Sequence, residues 1–342
     1  MGHRTQSDAA RHRGAPRGQG RRQHHSAHSR HGSRRLSTTP TAVLELPYKA
    51  PFDWPRILRF VGGRATPGVE AVEDGVWRRA IGWNGDSGTL AVRKHPRKHC
   101  IVAIIDGAAS RHVDALAAPI ARMFDLHADP KAIGASLAAD PWLAPLVATA
   151  PGLRVPGAWS GFELVVRAIV GQQVSVKAAT TIIGRIVQRA GVRIDDHPHQ
   201  TTAWRFPTPD TLAAANLAQI GMPGKRIEAL QGFARAVASG DVPVDSVGSA
   251  SFDVERLRAS LLALPGVGPW TVEYVAMRAW RDADAWPASD LVLMQAIAAR
   301  DPALSRPRLQ RERTDAWRPW RAYAAMHLWN EVADRAGAAR GG

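Results

Sequence analysis

Apolar and polar positions change their period as the chain proceeds. From "TAVLELPYKAPFDWPRILRFV" onward, the residues around Val43 and Glu45 alternate as in a half-buried strand, and Asp53 with Pro55 forms a plausible helix start. "SGTLAVRK" and "CIVAIID" also read as strands, separated by the turn-like "HPRKH". "HVDALAAPIARMFDL" then places Val113, Leu116, Ile120 and Phe124 on one helical face. The expectation is a small mixed sheet with helices.

After "PGLRVPGAW" the helical period dominates. "GFELVVRAIV" and "VKAATTIIGRIVQRAG" are separated by "GQQVS"; "TPDTLAAANLAQIG" starts with a Thr208 cap and Pro209; "KRIEALQGFARAVASG" closes at Gly240. In "FDVERLRASLLALPGVGPWTVEYVAMRAW", Leu257, Leu261 and Leu264 form the apolar face of one helix, and a second begins near Pro269. The glycines between permit positive φ and close backbone approach, so Pro265 to Gly268 can present peptide N–H groups beside a helix N-terminus, a nest suited to phosphate. An ordinary turn with a glycine C-cap explains the same spacing.

Composition sharpens this picture. At 342 residues and 45% apolar, the chain can build two or three packed subdomains. No apolar run approaches the roughly 20 residues of a membrane span, and no secretory signal opens the chain, so a cytoplasmic location is expected. The lone Cys100, in "HCIVAII", excludes an intramolecular disulfide or a thiolate cluster and reads as a buried structural thiol. The net charge of +15 points to a polyanion. Nine arginines against Asp8 put +8 of it in residues 1–40, an arm too polar to bury a core and read as disordered, with +7 left for the folded part.

"LPGVGPWTVEYVAMR" followed by "ASDLVLMQ" resembles the helix-hairpin-helix DNA glycosylases, specifically the DNA-3-methyladenine glycosylase II group. The resemblance runs from about Leu46 to Glu331 and includes "YKAPFDW", "GQQVSV" and "RPWRAYAAMHLW". It implies a mostly α, α+β fold with an N-terminal antiparallel sheet and two helical subdomains around a cleft. The expected divisions are a basic tail at 1–42, an N-terminal α/β domain at 43–136, a central helical domain with the hairpin at 161–282, and a second helical subdomain built from 137–160 and 283–342.

The resemblance also implies roles. Asp290, which by pattern is a helix N-cap with Ser289 as rival, takes the position of the catalytic carboxylate, with Asp282 and Asp284 as neighbouring alternatives. Trp270 and Tyr274 share a helix face at i and i+4, a spacing that equally suits core packing, and with Trp329 they take base-pocket positions; Trp320 is the alternative to Trp329. Electron-rich rings suit a cationic alkylated base by about 0.5 to 2 kcal/mol. Pro265, Gly266, Val267, Gly268 and Thr271 would meet the DNA backbone, and Gln173 would fill the gap left by a flipped base, a place where relatives often use an apolar wedge. Gln173 in an ordinary polar loop is the bland alternative. Lys177, Lys225 and Arg226 are weaker phosphate candidates.

Relatives that form a Schiff base carry a Lys where Trp270 stands, so a monofunctional enzyme is implied, leaving an abasic site in double-stranded DNA. No cofactor is expected beyond Na+ or K+ on the carbonyls of Leu262, Leu264 and Val267, and the family acts as a monomer. The alternatives are a glycosylase for deaminated or oxidised bases and a nonenzymatic helix-hairpin-helix DNA-binding protein. The cysteine-free tail lacks the thiol that a fused methyl-transferring domain needs.

Overall fold

Short hairpins build the first layer. The computed structural model describes residues 40–194, 200–248 and 252–341; residues 1–39 of the basic arm lie outside them. Strands β1 (Thr41–Pro47), β2 (Glu70–Glu73), β3 (Val76–Trp83), β4 (Asp86–Lys94) and β5 (Cys100–Gly107) form one sheet in the order β1-β5-β4-β3-β2. Every pairing is antiparallel, so the sheet is not mixed. Asp74-Gly75 and Asn84-Gly85, all at positive φ, make the tight turns of the β2–β3 and β3–β4 hairpins, whose twist matches the strands. β1 begins at Thr41, opposite Asp106, two residues inside the segment assigned to the tail, because its backbone completes the sheet edge. Its alternation turns Leu44 and Leu46 inward and leaves Val43 exposed.

Helices α1 (Trp54–Gly62) and α2 (Val113–Met123) cover this sheet. Asp53 caps α1, accepting from the Arg56 N–H at 3.1 Å. Trp54 and Trp77 both meet Phe124, at 5.3 and 5.4 Å between ring centroids, joining helix to strand.

The remaining helices are α3 (Pro130–Leu137), α4 (Ala144–Thr149), α5 (Gly161–Val170), α6 (Val176–Ala190), α7 (Pro209–Ala214), α8 (Gly224–Ala238), α9 (Val254–Leu262), α10 (Pro269–Arg278), α11 (Leu291–Ala298), α12 (Pro307–Asp315) and α13 (Arg321–Gly341). A two-stranded ribbon, β6 (Val192–Arg193) with β7 (Trp204–Arg205), follows α6. In α5 every residue except Arg167 is buried, the mark of a central helix with no solvent face. α10 packs on α5 and α9, while α13 packs on α11 and α4. The α4 segment is further tied to the C-terminal helices where Asp140 accepts from Arg313 and from the Trp317 indole. The described residues share one continuous apolar core and fall in one compact unit. Among them, no helix is long and apolar enough to cross a membrane.

Candidate active site

The α9–α10 hairpin has the backbone geometry its glycines allow. Gly266 adopts φ +80°, and a Cβ there would come within 2.8 Å of the Ala229 methyl, so both conformation and space demand glycine. Gly268 has ordinary φ and nothing within 4 Å of a notional Cβ, so its backbone lies open at the start of α10. No side chain caps α10, which leaves the first-turn N–H groups to an outside acceptor. Pro265 and Gly266 are exposed, whereas Val267 and Thr271 are buried. The last two can therefore offer a strand only their backbone.

Twenty residues beyond Trp270, Asp290 stands at the N-cap of α11, and it rather than Ser289 makes the capping bond: its Oδ1 accepts from the Leu293 N–H at 3.0 Å. The Trp270 indole donates to Oδ2 and the Trp329 indole to Oδ1, each at 3.0 Å. Trp270 stacks on Tyr274 with centroids 5.1 Å apart and planes 10° apart, and Trp329 meets Tyr274 edge-on at 6.2 Å. All four side chains line one cleft of about 1120 Å³. The α10 stripe is therefore a cleft wall; Tyr274 and Trp270 are only partly buried. Oδ1 accepts two hydrogen bonds and Oδ2 one, so Oδ2 keeps a lone pair for an incoming group.

The rival residues lie elsewhere. Asp282 accepts from Arg258 at 2.5 Å, and Asp284 pairs with Arg318 and Arg321. Both line a separate cavity of about 710 Å³. Trp320 packs edge-on against Tyr323 and does not line the cleft.

The structure adds charged groups that the sequence reading does not name. Arg278 is buried; it donates to the Tyr274 hydroxyl at 2.6 Å and to the Pro156 and Gly157 carbonyls at 2.8 and 2.7 Å. Burial pushes the Tyr274 phenol up, but Arg278 and Arg64 outweigh it and hold the phenol below its ordinary value. Along the cleft floor Glu163 pairs with Arg79 and Arg167, and Glu70 completes the cluster against Arg79. Burial pushes Glu163 up, yet the two guanidiniums bring it down to about 2. Glu163 and Arg167 at i and i+4 of α5 are a visible sequence pair; Arg64, Arg79 and Arg278 come from distant segments and leave no spacing signal.

Gln173 lies in the α5–α6 turn at the cleft mouth, with φ +59° and an exposed side chain. Lys177 and Lys225 are exposed, and Arg226 reaches Gln173.

The AlkA N-terminal domain matches residues 43–160, and the HhH-GPD superfamily of base excision DNA repair proteins matches residues 166–322. The chain is 34% identical over 287 residues to DNA-3-methyladenine glycosylase 2 of Escherichia coli, covering 83% of this chain and 95% of that protein. It is 38% identical over 294 residues to a probable bifunctional transcriptional activator/DNA repair enzyme AlkA of Mycobacterium tuberculosis, covering 85% of this chain but spanning only 57% of that relative. The fold matches that of the 3-methyladenine DNA-glycosylase from Archaeoglobus fulgidus with a TM-score of 0.69 at 22% identity, covering 86% of this chain and 98% of the other. With its antiparallel sheet, its hairpin and its helical cleft, the chain belongs to the DNA-3-methyladenine glycosylase 2 family of helix-hairpin-helix base excision repair proteins.

Proposed function

We propose that this chain is a monofunctional DNA glycosylase that flips alkylated bases, of the 3-methyladenine and 7-methylguanine type, out of double-stranded DNA and hydrolyses the N-glycosidic bond, leaving an abasic site. The observation that carries the reading is Asp290, held by two indole N–H groups inside the cleft that Trp270, Tyr274 and Trp329 line. A base outside the stack needs a pocket with π surface, and a cationic purine is drawn to such rings by about 0.5 to 2 kcal/mol. Its positive charge also makes it a good leaving group, so no general acid is required. The free lone pair on Asp290 Oδ2 faces the task left over: stabilising the oxocarbenium-like sugar or orienting the attacking water. Trp270 in place of an amine removes the Schiff-base route.

The open backbone at Gly268, beside an uncapped helix start, supports a phosphate grip by the hairpin. The carbonyl of Leu262 at the C-terminal end of α9 and those of Leu264 and Val267 in the hairpin, the Leu264 oxygen also accepting from the Val267 N–H at 3.2 Å, would hold Na+ or K+, hard cations that take oxygen ligands. That ion would add positive charge beside the DNA strand. One chain carries every residue of the proposed site, which fits action as a monomer on cytoplasmic DNA.

The test is chromatography of bases released from methylated, deaminated and oxidised duplex DNA by wild type and Asp290→Asn in parallel. Release of methylated purines by wild type, cut by about 10² to 10³ in the variant with DNA binding kept, is the expected result. Release of other bases alone would redirect the specificity, and no release by wild type would leave only a DNA-binding protein.

A further inference from the structure

The loop between α10 and α11 is fastened at points outside the cleft. Glu273 immediately precedes Tyr274 on α10, yet it lines not the cleft but the separate cavity of about 710 Å³. Its Oε2 accepts from the backbone N–H of Trp286, thirteen residues on, at 3.0 Å. Arg258 of α9 steadies that carboxylate, donating from Nε to Oε1 at 3.0 Å and from Nη2 to Oε2 at 3.4 Å, and the same Nη2 reaches Asp282 at 2.5 Å. The Trp286 ring is buried edge-on against Trp317, with centroids 5.6 Å apart. Trp286 is therefore held by both its ring and its backbone.

From Trp286 the chain reaches Asp290 in four residues, with little slack. The Ala288 N–H closes on the Trp286 carbonyl and the Asp290 N–H on the Pro287 carbonyl, each at 2.8 Å, so two overlapping turns carry the backbone from one residue to the other. Pro287 adds a fixed φ between them. A displacement of Trp286 is thus passed on to Asp290 rather than absorbed.

We propose that Glu273 is a positioning residue for base excision: by holding the Trp286 N–H it sets where the Asp290 carboxylate stands relative to Trp270 and Tyr274. This rests on the glycosylase reading above. Glu273 shares α10 with both rings, so one side chain ties the aromatic wall to the loop that brings the acid to it. Without that tie Asp290 keeps only its cap and its two indole bonds. The rate should suffer more than DNA affinity, because a misplacement of about 1 Å can cost about 10²-fold in rate, whereas the hairpin that would grip the strand lies at the other end of α10 from this loop.

The experiment compares three variants of the full chain. Glu273→Met, of similar length, and Glu273→Ala both remove the acceptor, while Arg258 keeps Glu255 and Asp282 as partners. Glu273→Gln retains one oxygen, which in the place of Oε2 keeps the bonds from the Trp286 N–H and Arg258 Nη2. Single-turnover release of methylated purines should slow by about 10- to 100-fold in the Met and Ala variants, with the Kd for duplex DNA within about twofold of wild type, and Glu273→Gln should restore the rate to within about threefold. A second measurement needs no turnover: the 1H–15N signals of the Trp270 and Trp329 indoles, assigned with the Trp270→Phe and Trp329→Phe variants, report the bonds to Asp290. They should move in the Met and Ala variants and return in Glu273→Gln. Unmoved indole signals, a wild-type rate in either acceptor-deleting variant, or a Gln variant as slow as the Met variant overturns the proposal. Base release by wild type with unmoved signals overturns only this inference, and moved signals with no base release by wild type overturn only the glycosylase reading.

Discussion

Trp270 Nε1 lies 3.0 Å from Asp290 Oδ2, joining the first turn of α10 to the first turn of α11 across a loop that sends its other acids elsewhere. An aromatic wall and a carboxylate are thereby locked in one geometry, with Trp329 closing the arrangement from α13.

That lock can be tested without touching the carboxylate. Trp270→Phe keeps a ring over Tyr274 and deletes the indole donor, and Trp329→Phe does the same on the other oxygen. Each should lower the single-turnover rate of base release by about 10- to 100-fold, the worth of one hydrogen bond to a charged group, with less effect on DNA affinity. The double variant should lose more than the sum of the single effects, because either indole alone still orients the acid. Strictly additive losses would show that the two donors act independently.

The hairpin glycines should separate stability from DNA binding. Gly266→Ala forces a side chain to φ +80° and against Ala229, and should cost about 1 to 3 kcal/mol in urea unfolding. Gly268→Ala meets neither obstacle and should leave stability unchanged while raising the Kd for duplex DNA several-fold, by shielding the start of α10.

Glu163→Gln should be costly although no substrate is involved. Glu163 is buried between Arg79 and Arg167, so the substitution leaves two buried guanidiniums sharing Glu70 as their one remaining carboxylate. A loss of about 3 to 5 kcal/mol is expected by urea unfolding. Replacing Arg335, which pairs with Glu331 while itself exposed, should cost less than about 1 kcal/mol.

Stability should fall in mild acid through His327. Its buried imidazole is held down to about 4, by burial first and by Arg56 second. The unfolded chain takes up a proton near pH 6.5, whereas the folded chain resists it until about pH 4. The contribution is therefore intact above 6.5 and lost progressively as pH falls through that window. Between pH 7.5 and 5 it amounts to about 2 kcal/mol. Urea unfolding of His327→Gln at both values should show that much less pH dependence than wild type, and equal pH dependence would reject this role.

Local patterning reveals most of the helices, α3, α4, α12 and α13 excepted, but the sheet only in part. Strands β1, β4 and β5 are visible as alternation or apolar runs, whereas β2 and β3 are not assigned, although Asp74-Gly75 and Asn84-Gly85 are strong hairpin signals. The obstacle is "VWRRAIGW": an arginine in mid-strand looks exposed, yet Arg79 is buried. Its partners, Glu70 and Glu163, come from a neighbouring strand and from α5.

The sequence by itself determined the helix starts, the hairpin with its glycine requirement and the aromatic stripe of α10, because each depends on residues within a few positions of one another. The family's spacing already favoured Asp290 over Asp282 and Asp284. What only the tertiary structure shows is their surroundings: Arg258, Arg318 and Arg321 pair with Asp282 and Asp284, and two indoles hold Asp290. Arg64, Arg79 and Arg278 likewise become legible only after folding: an ion pair or a cleft wall is a relation between segments far apart in the chain, and no local period encodes which distant partner a charge will meet.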